Sequence, residues 1–172
     1  MKYEAHLKDQ KETIRFGMIL GDSLLGGGRV YIKGNLGAGK TTLCRGVLCM
    51  FGFLGAVKSP TFTLIEPYEL CKGTVYHFDL YRVTDPDELE YIGLEEYFVS
   101  ESLCLVEWPE RARDKLPEAD LDVELILKSR SRDIILHPNT SRGKDVSDNA
   151  MASWSTNRGD LEYKMFREDE ED

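Results

Sequence analysis

The chain has little with which to hold a polyanion or cross a bilayer. Its formal net charge is −9, whereas affinity for nucleic acid comes largely from Lys and Arg neutralising phosphates. Unaided nucleic-acid binding is therefore a poor candidate activity, and any RNA should be held by a partner. No stretch is long and apolar enough to cross a bilayer, and the charged start, with Lys2, Glu4, Lys8 and Asp9, contains no apolar core of signal-peptide length. The expectation is a cytoplasmic protein with no membrane contact. Cysteine is sparse: Cys44, Cys49, Cys71 and Cys104 show no CxxC spacing and no companion histidine pair, so they read as reduced, mostly buried small side chains rather than a metal or redox motif. With 172 residues, 41% of them hydrophobic and 31% charged, the chain is expected to build one domain with a sizeable core.

Against these absences stands one dense motif. Residues 34 to 41 read Gly-Asn-Leu-Gly-Ala-Gly-Lys-Thr, matching GxxxxGK[ST] between a strand-like run, Arg29 to Lys33, and a helical one beginning near Lys40. Glycines let the backbone curl so that successive N–H groups face phosphate oxygens, while Asn35, Leu36 and Ala38 fill the free positions around Gly37 and Gly39. Lys40 can reach β- and γ-phosphates, the Thr41 hydroxyl can take a Mg²⁺ coordination position, and the helix start adds its dipole. A chance match is rare, and the strand before and helix after supply the context the motif requires.

A first helix is predicted over residues 9 to 25, ended by Gly26-Gly27-Gly28. After the loop helix, Leu64 to Glu66 and Thr74 to Phe78 read as hairpin strands around Cys71-Lys72-Gly73. Asp85-Pro86 and the following acids open a helix, and 94 to 98 form a second short one. Leu103 to Val106 is a continuous apolar run of the kind buried on both faces of a parallel sheet, and 121 to 127 with 133 to 136 form a final hairpin. This order predicts an α/β fold: a P-loop NTPase-like three-layer sandwich with a mixed parallel and antiparallel sheet over residues 1–138. Residues 139–172 carry nine acids against five bases, are rich in Ser, Asn, Asp and Gly, and end in five acids; they are expected to be a disordered acidic tail. Trp154 and residues 161 to 166 offer only a marginal docking helix.

A nucleotide site needs a second acid at a strand tip. Glu107 closes the apolar run and Asp79 closes the return strand of the hairpin, and strand C-termini are where ligands bind in parallel sheets. Trp108 can stack on a base or cap the core. Ser59-Pro60-Thr61 places two hydroxyls in a loop after the nucleotide helix, where a switch segment can sense a γ-phosphate. Arg82, Arg111 and Arg113 are candidate charge stabilisers, with at least two of them expected to be solvated surface residues. No [NT]KxD guanine motif is present, which favours ATP weakly over GTP.

Four segments in order, GNLGAGKTTL, SPTFTL, HFDLYR and LVEWPER, resemble the TsaE family of bacterial ATPases over residues 9 to 136. The resemblance implies an ATPase that works with TsaD and TsaB to make threonylcarbamoyladenosine beside the anticodon of transfer RNA, the RNA being reached through the complex. It implies Lys40 and Thr41 as phosphate and Mg²⁺ residues and Glu107 as the acid standing for a Walker B aspartate. Asp79 becomes a catalytic or switch acid, Thr61 the switch-loop threonine, Thr42 a neighbour of the nucleotide and Trp108 the family's tryptophan near the active site. The tail beyond 139 departs from the short family pattern. The alternative is a small-molecule or nucleotide kinase that uses the same loop, with an acceptor near Asp79 and Arg82.

Overall fold

The computed structural model describes residues 1–156. Seven strands form one sheet: β1 (Tyr3–Leu7), β2 (Gly28–Lys33), β3 (Ile65–Leu70), β4 (Gly73–Asp79), β5 (Leu103–Glu107), β6 (Leu121–Leu127) and β7 (Arg132–Pro138). Their order across the sheet is β1-β7-β6-β2-β5-β4-β3. The pairs β2·β5, β2·β6 and β4·β5 are parallel, whereas β3·β4, β6·β7 and β1·β7 are antiparallel. The mixed sheet expected from the order of elements is therefore present, and β5 is buried along its whole length, as its unbroken apolar sequence requires.

One face of the sheet is covered by three helices, α1 (Gln10–Ser23), α2 (Lys40–Met50) and α4 (Ser141–Ser155). α1 starts with reciprocal capping: the Glu12 N–H donates to the Asp9 carboxylate at 2.9 Å, and the Lys8 N–H donates to the Glu12 side chain at 2.8 Å, satisfying two helix-end donors. α1 and α2 approach closely through Gly17 and Gly46. A Cβ on Gly46 would stand 2.2 Å from the Ile14 carbonyl oxygen, so only glycine permits this spacing. Phe16, Leu20, Leu43, Val47 and Leu48 meet Val30, Ile32, Leu103 and Leu105 of the sheet in the larger core. The opposite face carries no long helix among the described residues. There α3 (Glu88–Tyr91) and short 3-10 turns place Leu89, Leu94, Ala112 and Leu116 against Tyr31, Phe78, Cys104 and Val106. The third layer is thus made of single turns.

The structure departs from what the sequence leads us to expect at three places. β1 was not foreseen; it lies at a sheet edge, five residues long, with only Ala5 and Leu7 buried, too short to show a period. More consequential, the segment from 139 does not begin a disordered tail. Thr140 caps α4 by accepting from the Gly143 N–H at 3.1 Å, and Val146 and Ala150 are buried in the larger core. Trp154 meets Phe16 edge-on at 5.4 Å, with the Arg15 guanidinium 4.8 Å from its ring centre. Asp120 joins this helix to the sheet, accepting from the Thr140 hydroxyl and from the Arg29 backbone N–H. The helix forms because tertiary burial overrides a weak local propensity. Residues 161 to 166 lie outside the described residues. Of the cysteines, Cys44 and Cys104 are buried, Cys49 is half-buried and Cys71 is exposed, so the expectation of mostly buried thiols fails at Cys71, in the β3–β4 turn.

Candidate functional site

Because β2, β4 and β5 are parallel neighbours, their C-terminal ends share one edge of the sheet. Asp79 and Glu107 stand opposite each other in register. The glycine-rich loop leaves β2 at the same edge and runs into α2. Gly39 has φ +103, and a Cβ on Gly34 would sit 2.7 Å from the Leu125 carbonyl oxygen, so the curl depends on residues without side chains. Gly39 also brings no side-chain cap to α2, which leaves first-turn N–H groups available to an anion.

A cavity of about 280 Å³ opens between this loop and the two strand ends. Leu36, Gly37, Gly39, Lys40, Thr41, Thr42, Thr61, Asp79, Glu107 and Trp108 all line it, so most of the residues singled out from sequence converge on one place. Asn35 contributes its carbonyl, which accepts from Lys40 Nζ at 3.0 Å. Ala38 does not reach the cavity wall: its side chain is in the larger core and its N–H donates to the Asn35 carbonyl at 3.0 Å.

The Lys40 ammonium also donates to the Gly34 carbonyl at 2.5 Å and lies 4.0 Å from the centre of the Trp108 ring. Burial pulls its pKa below the ordinary lysine value, against Glu107, Glu110 and Asp79, which pull it up. The result is a partly desolvated cation roofed by an indole, a contact worth up to about 2 kcal/mol when water is excluded. Trp108 holds this position from a backbone φ of +58, a conformation that costs an L-residue of its bulk roughly 1–2 kcal/mol. Tyr81 stacks tilted beside it at 5.0 Å, and Arg111 lies over both rings.

The two carboxylates have different companions. Glu107, buried, accepts from the Thr41 hydroxyl at 2.9 Å and from His77 Nε2 at 2.8 Å, both through Oε1. Asp79, also buried, accepts through Oδ2 from the Ser59 and Thr61 hydroxyls, the latter at 3.0 Å, and through Oδ1 from the Tyr81 N–H at 2.9 Å. Thr41 spends its proton on Glu107, so its oxygen lone pairs stay free for a cation. The donor set of a hydroxyl and a carboxylate is hard and oxygen-only, which fits Mg²⁺.

A sequence model described as "Threonylcarbamoyl adenosine biosynthesis protein TsaE" matches residues 7–134. The chain belongs to the TsaE family. Among curated TsaE relatives, each named a tRNA threonylcarbamoyladenosine biosynthesis protein, that of Haemophilus influenzae is 44% identical over 146 residues, 82% of this chain and 92% of its own. The Treponema pallidum relative is 34% identical over 74% of this chain and 94% of its own. Among solved structures, the crystal structure of Bacillus subtilis YdiB matches with a TM-score of 0.76 at 25% identity, covering 88% of this chain and 95% of that one.

Within this TsaE chain the three arginines part company. Arg113 pairs with Asp122 at 3.1 Å, Arg82 stacks on the exposed ring of Phe62, and only Arg111 reaches the aromatic wall beside the cavity. Two contributors were missed from sequence, Tyr81 and His77. His77 lies two residues before Asp79 in β4, and the signal that marks it is a histidine in an otherwise apolar strand on the same face as the terminal acid. Cys44, His77 and Glu107 also bring ligand atoms within 4.8 Å of one another, although no metal motif was expected of the cysteines.

Proposed function

We propose that this TsaE chain is a Mg²⁺-dependent ATPase required for threonylcarbamoyladenosine formation in tRNA, its turnover driving or resetting a complex of TsaD and TsaB in the cytoplasm. The observation that carries this reading is the pairing of Thr41 at the start of α2 with the buried Glu107 at the tip of β5, with Asp79 beside it. The net charge of −9 supports a protein that meets tRNA through its partners.

In this reading the loop N–H groups and Lys40 bind the triphosphate, Lys40 exchanging its two loop carbonyls for phosphate oxygens. Thr41 and Glu107 would hold Mg²⁺, which would supply charge neutralisation for the phosphates. Asp79 orients the attacking water or takes its proton. In the structure Asp79 Oδ2 takes both loop hydroxyls, Ser59 and Thr61, while Oδ1 accepts the Tyr81 N–H, so Oδ1 keeps a lone-pair site for a water and Oδ2 ties the loop to the site. Thr61, once released, is placed to read the γ-phosphate. Slow turnover by the isolated chain follows, with acceleration when a partner closes over the loop.

Steady-state ATP hydrolysis by the chain alone, then with TsaD, TsaB and tRNA, tests this. The expected result is a low basal rate that rises with the partners and vanishes in Lys40→Ala. A rate indifferent to the partners but raised by a small-molecule acceptor would replace the reading with a kinase.

A further inference from the structure

We infer that His77 is a positioning residue, a fixed hydrogen-bond donor that orients the Glu107 carboxylate for the metal. The inference rests on the reading of Glu107 as the acid of a Mg²⁺-nucleotide site. In the parallel pair, His77 is in register with Leu105 and Asp79 with Glu107. His77 therefore stands diagonal to Glu107 on the sheet, a relation that long side chains bridge. The bridge is made: Nε2 lies 2.8 Å from Glu107 Oε1, with both side chains buried.

The other ring nitrogen identifies the tautomer. Nδ1 is buried with no hydrogen-bond partner among the described residues. A proton there would be a buried donor without an acceptor, and would leave an Nε2 lone pair facing a carboxylate oxygen, both unfavourable. The proton therefore belongs on Nε2, and the imidazole donates to Oε1. Around the same carboxylate stand two more polar side chains. Thr41 contributes its hydroxyl, and the Cys44 thiol lies within 4.8 Å of the carboxylate.

A glutamate carboxylate rotates broadly about its last torsion, and Thr41 alone contacts both of its oxygens, at 2.9 and 3.2 Å. It cannot choose between them. His77 breaks that symmetry by committing Oε1 to two short bonds while Oε2 has the longer Thr41 contact. In metal sites generally, outer residues that fix a ligand's orientation alter metal affinity by about 10–100-fold when removed.

The test is calorimetric binding of ATP to the full chain, in EDTA and across a Mg²⁺ series, for wild type, Glu107→Gln, His77→Leu, His77→Asn and His77→Gln, with melting temperatures taken alongside. His77→Leu removes the donor at similar volume, His77→Asn keeps polarity without the reach, and His77→Gln restores an N–H near the Nε2 position. The expected result is unchanged affinity in EDTA, a Mg²⁺ requirement raised about tenfold or more in His77→Leu and His77→Asn, and recovery to within about threefold in His77→Gln. If His77→Leu does not fold, the Asn and Gln pair decides. A raised requirement in Glu107→Gln with wild-type behaviour in His77→Asn, and in His77→Leu where it folds, would overturn the inference alone. A wild-type requirement in Glu107→Gln would overturn the parent reading and the inference together.

Discussion

Asp79 and Glu107 are the same kind of group, at adjacent strand ends, opposite each other in register, and the chain treats them differently. Glu107 is held by regular structure: Thr41 from the first turn of α2 and His77 from β4. Asp79 is held by residues outside helix and strand, Ser59, Thr61 and the Tyr81 N–H. Each has a non-glycine residue of positive φ nearby. Trp108, at +58, follows Glu107 directly, and Leu64, at +65, accepts the Asp79 N–H through its carbonyl. A carboxylate bound to helix and strand is suited to a fixed duty such as holding a metal, whereas one bound by loop hydroxyls can change partners when the loop does. Two carboxylates with separate environments can therefore divide metal binding from water handling.

The largest effect should come from the residue both carboxylates face. Lys40→Ala is expected to reduce ATP turnover by at least about 100-fold, measured as phosphate release with the partner proteins present; near-normal turnover would remove the nucleotide site altogether. A change far from both carboxylates sharpens the comparison. Trp154→Ala removes the edge contact with Phe16 and the Arg15 contact and should cost about 2–3 kcal/mol of folding stability, read by urea unfolding, while leaving the Mg²⁺ requirement untouched. At Trp108, both Trp108→Ala and Trp108→Gly lose the ring over Lys40 and should weaken ATP binding about three- to tenfold. Only glycine relieves the positive φ, so Trp108→Gly should melt higher than Trp108→Ala. The smallest effect lies at Asp122. Burial pushes its carboxyl up, but Arg113, Asn139 and Lys33 outweigh that and hold it below the usual carboxylate range. A depressed folded pKa contributes stability that is present above the ordinary carboxylate pKa and lost as pH falls through the folded value. The stability gap between wild type and Asp122→Asn should therefore close in strong acid, as unfolding curves across pH would show.

How far these features could be read in advance depended on how local their cause was. The glycine loop, α2 and β5 are written in contiguous residues, so the cavity and most of its lining were legible. The α4 helix was not. Its buried residues are Gly143, Val146, Ser147 and Ala150, with Met151 and Trp154 partly buried against the core, a sparse apolar stripe set in Ser, Asn and Asp that favour turns. What orders it is the surface of α1, distant in sequence. β1 was hidden for the same reason, since its partner β7 lies more than 120 residues away. His77 was visible as a letter in HFDLYR but not as a group, because only the register of β4 on β5 shows that it reaches Glu107.

The division between the two carboxylates is tested most directly by Mg²⁺ titration of ATP hydrolysis, in the presence of TsaD and TsaB, for wild type, Glu107→Gln and Asp79→Asn. The account predicts that Glu107→Gln raises the half-saturating Mg²⁺ concentration, while Asp79→Asn lowers the plateau rate about 100-fold with the Mg²⁺ requirement unchanged. Both substitutions moving the same parameter by similar amounts would contradict it.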